Sequence, residues 1–183
     1  VALYGLGHFG ESALRLERLV QENADAGLRI SLLGQAGNAW LMAGEIERAN
    51  AALSAGLELA PNNLDLLIDR SLVLAAAENY WETVDDLNRA LDIDPNSSDA
   101  LIFRASAYRY LDSLDLAADD VNRALELDGD HVAAYLERGN IRRLRGDNSG
   151  AREDWLQAIK LAPDSPAADA ARRNLEKMDI KPE

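Results

Sequence analysis

Three arginines recur along this chain with a 34-residue step, and each is followed at one constant interval by an aspartate. The pairs are Arg70 and Asp86, Arg104 and Asp120, and Arg138 and Asp154. A guanidinium fork suits a carboxylate in a partly dry site, so we predict a ladder of ion pairs. One step earlier, both places hold alanine, at Ala36 and Ala52. This joint loss favours pairing within a repeat over pairing between repeats, which would join Arg104 to Asp86 and Arg138 to Asp120. It also favours ion pairs over the functional alternative, a row of ligand-binding arginines.

Residue types for catalysis or metal binding do not form a recognisable cluster. The chain has no cysteine, and its two histidines, His8 and His131, lie far apart in the sequence. The Asp128-Gly-Asp130 segment lacks the alternating carboxylates of a calcium loop. The glycine pattern over residues 5–10 has no preceding strand or following βαβ unit, so a turn in a degraded hairpin is favoured over dinucleotide binding. We therefore expect that the protein is not an enzyme and binds neither a metal ion nor a cofactor.

Composition limits the classes of partner. The 183 residues carry a net charge of −13, which argues against nucleic acid and anionic membranes. A solvated acidic surface is favoured over a basic partner. No stretch has the length and apolarity of a membrane span, so we expect a soluble protein, with cytoplasm and periplasm both open. Because the chain begins at Val1, we expect a fragment or a processed product.

The 34-residue step also appears in several columns of structural residues. Chain-breaking residues occur at Pro61, Pro95, Gly129 and Pro163. Small residues keep the step at Gly37, Ser71, Ala105 and Gly139, and large apolar residues keep it at Leu53, Leu87, Val121 and Trp155. A small column beside a large one is what two close-packed helices need. The period therefore predicts four helical hairpins.

These columns resemble the tetratricopeptide repeat (TPR) family, in which a 34-residue helix–turn–helix unit recurs. The resemblance implies an all-α, right-handed α-solenoid in one continuous domain. We place a partial repeat at residues 1–29, with its own hairpin remnant ending near residue 23. Four repeats follow at residues 30–63, 64–97, 98–131 and 132–165. Residues 166–178 form a capping helix, and the tail from residue 179 is expected to fray.

Each repeat is predicted to contain two helices. First helices are expected over residues 30–43, 64–77, 98–111 and 132–145. Second helices are expected over residues 46–59, 80–93, 114–127 and 148–161. Turn residues separate them at Gly44, Glu78-Asn79, Asp112-Ser113 and Gly146-Asp147. The ladder arginines would then lie on first helices and the aspartates on second helices.

In this family the first helices line a concave groove, which the resemblance makes the ligand surface. The chain is expected to be a scaffold that binds an extended segment of a partner protein there. The expected contacts are Asn38, Met42, Phe103, Arg109, Tyr110, Asn140 and Arg143. The other residues of the inward row include Ile102 and Glu137. Tyrosine and arginine are enriched at binding hot spots, although Arg109 and Arg143 could instead neutralise nearby acids.

Two further interpretations concern the function. The branch of the family that binds chaperone C-termini uses lysine, arginine and asparagine at five places, which here hold Gly34, Asn38, Asp69, Asp99 and Phe103. Only Asn38 agrees, so we reject that branch. The alternative function is a structural module that mediates homo-oligomerisation.

The remaining aromatic residues divide by column. Trp40, Tyr108 and Trp155 fall in columns expected to pack in the core, whereas Trp81 does not fit these columns.

Overall fold

The computed structural model describes residues 8–179, and these form ten α-helices and no β-strand. The helices are α1 Phe9–Glu22, α2 Ala26–Met42, α3 Ile46–Leu59, α4 Leu64–Ala76, α5 Tyr80–Ile93, α6 Ser98–Tyr110, α7 Leu114–Leu127, α8 Val132–Leu144, α9 Asn148–Leu161 and α10 Pro166–Asp179. The predicted all-α class is confirmed.

The helix boundaries follow the predicted repeat closely. The four second helices, α3, α5, α7 and α9, begin and end at the predicted residues. The first helices end one residue earlier than predicted, and α2 begins at Ala26 instead of residue 30. The predicted start of α2 was wrong because Asp25 caps the helix at an earlier position. The Asp25 side chain accepts a hydrogen bond from the Leu28 amide at 2.7 Å.

The turn inside each hairpin has one residue in the left-handed region. The φ angles are 78° at Gly44, 61° at Glu78, 57° at Asp112 and 84° at Gly146. These four positions share one column of the 34-residue step. Glycine adopts this conformation without steric cost, whereas Glu78 and Asp112 are held in it by their turns. The predicted turn positions are confirmed.

The chain divides into two compact units, Val1–Pro95 and Asn96–Glu183. In the first unit α2 packs on α1 and α3, and α4 packs on α3 and α5. In the second unit α7 packs on α6 and α8, while α10 packs on both α8 and α9. Small residues allow these close approaches: a Cβ at Gly37 would lie 2.4 Å from Cγ of the fully buried Leu53.

The predicted ion-pair ladder is present within each repeat. Asp86 accepts hydrogen bonds from Arg70 Nε and Nη2 at 2.7 and 2.6 Å, and Asp120 accepts from Arg104 at the same two distances. Asp154 accepts from Arg138 Nε at 3.0 Å and Nη2 at 2.7 Å. All three aspartates are buried. The ladder therefore joins the first helix of a repeat to its second helix, as the paired alanines predicted.

The aromatic core residues behave mainly as expected. Trp40 and Trp155 are buried, and the Trp40 Nε1 donates to Glu17 Oε1 at 2.7 Å. Tyr108 is half-buried. Trp81 is 64% exposed, in agreement with its poor fit to the core columns.

The two ends of the chain differ in part from the predictions. Gly5 and Gly7 of the glycine pattern lie outside the described residues, and so does the tail from residue 180 onwards. Gly10 lies in α1. The prediction that the tail begins at residue 179 is wrong, because Asp179 is the last residue of α10 and its carboxylate pairs with Arg152.

Candidate protein-interaction site

A cleft of about 540 Å³ lies within the second unit, and helices α6, α8, α9 and α10 contribute residues to it. Four residues predicted as partner contacts line this cleft, namely Arg109, Tyr110, Asn140 and Arg143. The volume falls in the range of about 300–1,000 Å³ that is typical of ligand sites. Leu136, Leu144 and Trp155 supply apolar surface between the polar groups.

Arg109 is held by a buried acid on the neighbouring first helix. Its Nε donates to Glu137 Oε1 at 2.5 Å, and the two side chains are 16% and 8% exposed. Burial alone would lower the pKa of Arg109, but the Glu137 carboxylate and Tyr110 outweigh it and raise that pKa. The guanidinium therefore stays charged, and its charge is offset by Glu137. Neutralisation of a nearby acid, the alternative noted for Arg109, is thus part of its role.

Asn140 organises the cleft through three polar neighbours. Its Oδ1 accepts from Trp155 Nε1 at 3.2 Å and from Asn174 Nδ2 at 2.8 Å. Its Nδ2 donates to Glu137 Oε2 at 3.1 Å. Since an amide nitrogen carries two hydrogens, one donor of Asn140 is left after this bond. The network fixes the side chains of Asn140, Trp155 and Asn174, which lie on α8, α9 and α10.

Arg143 and Lys177 bring positive charge to the cleft without internal compensation. Both are exposed, and within residues 8–179 neither makes an ion pair. Arg143 Nη1 donates only to the Asn148 amide oxygen, at 3.3 Å. No aspartate or glutamate of the described chain lines the cleft, although the protein carries a net charge of −13.

The part of the cleft that α10 contributes lies outside the residues predicted as partner contacts. Asn174 and Lys177 line it, whereas the sequence predicts α10 only as a capping helix. The signal was available in the period, because these residues stand one full step after Asn140 and Arg143. Helix α10 also begins one full step after position 132, where α8 begins. It therefore occupies the place of the first helix of a further repeat.

The other predicted contacts lie elsewhere. Asn38 and Met42 belong to the first unit, where Met42 is 57% exposed and Asn38 is half-buried. Phe103 is half-buried on α6 and is not among the residues that line the cleft. Two further members of the predicted inward row, Ile102 and Glu137, are buried. Among the predicted partner contacts, only Met42, Tyr110 and Arg143 are therefore exposed, and the others are half-buried.

Asn38 is engaged within its own unit. Its Nδ2 donates to Asp69 Oδ2 at 2.9 Å. Burial raises the pKa of Asp69, the hydrogen bond from Asn38 lowers it, and the nearby Asp65 raises it, so the net shift is upward. The folded chain consequently holds the Asp69 proton more tightly than the unfolded chain does.

We expect Asp69→Asn to raise the free energy of unfolding at pH 7, by less than about 1 kcal/mol because the site is partly solvated. As pH rises through the raised folded pKa, ionised Asp69 costs stability. The difference between variant and wild type should therefore shrink towards zero below about pH 3.9, the ordinary aspartate pKa. Urea titrations over this pH range measure it. The exposed Asp92→Asn is the control, and an equal gain from Asp92→Asn would contradict the assignment.

Residues 8–179 hold neither a metal-ligand cluster nor a membrane-spanning helix. Within that range, no three His, Asp or Glu side chains are grouped so that they could ligate a metal ion. None of its helices has the length and apolar character needed to cross a bilayer.

Comparison with known proteins defines the fold of this chain. Residues 104–166 match the tetratricopeptide repeat family model. The comparison with curated proteins finds no match to this chain. A tetratricopeptide repeat protein from Parabacteroides merdae shares the fold with a TM-score of 0.77 and 19% identity, over 99% of this chain and 77% of that one. The chain therefore has the all-α fold of TPR-type hairpins, and the predicted resemblance is confirmed.

Two solved structures whose descriptions mention peptide binding are also similar. YrrB, described as a TPR protein with an unusual peptide-binding site, has a TM-score of 0.68 and 21% identity over 92% of this chain and 89% of its own. The first TPR of Spaghetti (RPAP3), bound to an HSP90 peptide, has a TM-score of 0.56 and 25% identity. That match covers 63% of this chain and 91% of the neighbour.

Proposed function

We propose that this protein is a non-catalytic scaffold that binds an extended segment of a partner protein on the face of its first helices. The observation that carries the proposal is the cleft of the second unit, which Arg109, Tyr110, Asn140 and Arg143 all line. Those residues come from two different repeats. An extended ligand suits such a surface, because each repeat of a solenoid adds a few side chains to one wall.

The similarity to a peptide-bound TPR structure supports the proposal. The Spaghetti repeat holds an HSP90 peptide. In this chain, however, Asp99 and Phe103 occupy two places where chaperone-binding members carry cations. Asn38, the one residue that agrees, is bonded to Asp69. The ligand of this chain is therefore expected to differ from a chaperone C-terminus.

Tyr110 offers the clearest test of the binding face. It is 58% exposed at the rim of the cleft, and the centroid of its ring lies 4.3 Å from the Arg109 guanidinium carbon. Peptides selected by display on the intact chain should bind Tyr110→Ala about fivefold more weakly, a loss of about 1 kcal/mol. Fluorescence anisotropy measures the affinity, and circular dichroism verifies the fold.

Trp81→Ala is the matched control, because Trp81 is similarly exposed but lies on a second helix. It should bind the selected peptides as the wild type does. Equal weakening by both substitutions, or an unchanged affinity of Tyr110→Ala, would move the site away from the first helices. Arg109→Ala is a poorer test, since it leaves the buried Glu137 without its partner.

Homo-oligomerisation is the second candidate, and exposed apolar residues on second helices favour it. Leu116 and Leu156 are 50% and 52% exposed on α7 and α9. Light scattering over a hundredfold range of protein concentration, about 1 to 100 μM, separates the two functions. A monomer throughout this range supports the scaffold. A dimer that Leu116→Asp dissociates supports assembly instead.

A further inference from the structure

We propose that the cleft bounded by α6, α8 and α10 binds an acidic partner segment whose two carboxylates are three residues apart in an extended chain. This inference rests on the proposed function and specifies its ligand. Arg143 and Lys177 are the groups that bind the two carboxylates.

The first observation is a column of basic residues. Arg109, Arg143 and Lys177 follow one another at the 34-residue step, near the ends of α6, α8 and α10, and all three line the cleft. The same column holds Leu41 and Ala75 in the earlier repeats. In this column, positively charged residues therefore occur only in the part of the chain that forms the cleft.

The second observation is how that charge is balanced. The buried Glu137 offsets Arg109, whereas Arg143 and Lys177 are exposed and make no ion pair within residues 8–179. No carboxylate of the described chain lines the cleft. On a protein of net charge −13, uncompensated cations grouped in one concavity provide charge complementarity to an acidic ligand.

The spacing of the helices selects the form of the ligand. Helix α8 packs against α10, and packed helices lie about 8–10 Å apart. Arg143 and Lys177 hold equivalent places on these two helices. A polyproline II chain rises about 3.1 Å per residue with three residues per turn, so side chains three residues apart are about 9 Å apart on one face. In a β-strand, the side chains on one face repeat about every 6.6 Å, which matches the helix separation of about 8–10 Å less well.

The surface between the cations is partly apolar. Leu136, Leu144 and the ring of Tyr110 line the same cleft, and Leu144 is 58% exposed. An apolar side chain between the two acids of the ligand would cover this surface. The preferred ligand is therefore Glu-X-X-Glu, with proline and leucine as the intervening residues.

The probe is the capped peptide Gly-Glu-Pro-Leu-Glu-Pro-Gly with a fluorescent label. Two relatives accompany it: one with glutamine in place of both glutamates, and one with the same composition but adjacent glutamates. Anisotropy measures their affinities for the intact chain, and the Trp155 indole N–H signal in NMR reports occupancy of the cleft. Wild type, Arg143→Gln and Lys177→Gln are compared with Arg173→Gln. Arg173 is exposed on α10, loses the same charge and does not line the cleft.

We expect the first peptide to bind at least about tenfold more tightly than the glutamine peptide, a difference of about 1.4 kcal/mol, and more tightly than the adjacent-glutamate peptide. Arg143→Gln and Lys177→Gln should each weaken it about tenfold, while Arg173→Gln leaves the affinity within about twofold. The Trp155 signal should shift on titration. Raising the salt concentration should weaken binding, because exposed charges are screened.

Several results would overturn the inference. One is a dissociation constant above about 1 mM for the peptide with glutamates three residues apart. Another is an equal affinity for the glutamine peptide, and a third is that Arg173→Gln weakens binding as much as Arg143→Gln or Lys177→Gln. Equal competition by inorganic phosphate or a short DNA oligonucleotide would show a general anion site instead. The proposed function survives these results if display-selected peptides still depend on Tyr110. If no selected peptide binds the chain, the proposed function fails as well.

Discussion

Asp154→Ala is expected to lower the free energy of unfolding by about 3–5 kcal/mol, because it leaves two arginines without their shared partner. Asp154 accepts from Arg138 and also forms an ion pair with Arg142 at 2.9 Å. Its side chain is 4% exposed, so water replaces these contacts poorly. Urea denaturation followed by circular dichroism measures the loss. The adjacent Glu153 is exposed, and Glu153→Ala should change stability by no more than about 0.5 kcal/mol.

A double-mutant cycle on another rung distinguishes pair loss from general damage. Arg104→Ala and Asp120→Ala should each destabilise the chain, since each strands the other charge. The double variant should cost less than the sum of the two, by about 0.5–3 kcal/mol. The first repeat has this combination naturally, with Ala36 and Ala52 both buried. Additive losses would show that the two side chains do not depend on each other.

Gly139→Ala is expected to lower the free energy of unfolding by about 1–3 kcal/mol, the usual cost of overpacking a core. A Cβ at this position would lie 2.5 Å from Trp155 Nε1 and 2.6 Å from its Cδ1. Trp155 is buried and bonded to Asn140, so its ring has little room to move. The steric cost opposes a gain of about 1 kcal/mol from the better helix propensity of alanine.

Gly10→Ala is the control for Gly139→Ala. Gly10 lies in α1, and a Cβ there would approach Trp40 no closer than 3.7 Å, an ordinary contact. This substitution should be neutral or stabilising. In a Trp155→Val background Gly139→Ala should become harmless, since the preceding repeat pairs Ala105 with Val121. Persistent destabilisation in that background would show that the ring is not the cause.

The repeat made most of the architecture predictable. Helical hairpins, their turns and the ladder all recur, so the copies of each signal reinforce one another. The second helices were predicted to the residue, whereas the start of α2 was not. Asp25 begins that helix through a local cap that no other repeat shares at the same place. Signals that occur once, such as this cap, are hidden by the period.

The lining of the proposed binding cleft was predictable only in part. Arg143 and Tyr110 are exposed at the cleft, whereas Arg109 and Asn140 are hydrogen-bonded to Glu137. Helical spacing places side chains on a face without giving their partners on the next helix. The contribution of α10 was missed although Asn174 and Lys177 keep the step of Asn140 and Arg143.

The sequence by itself determined the repeat, the helix pairs and the Arg–Asp partners, because these depend on residue types recurring at a constant interval. Only the tertiary structure decided which polar groups of the first helices satisfy one another and which remain available to a ligand. Charge balance is the physical reason: Arg109 and Arg143 occupy the same column, but the buried Glu137 pairs with Arg109, while Arg143 makes no ion pair among the described residues. That difference depends on which side chains meet across packed helices.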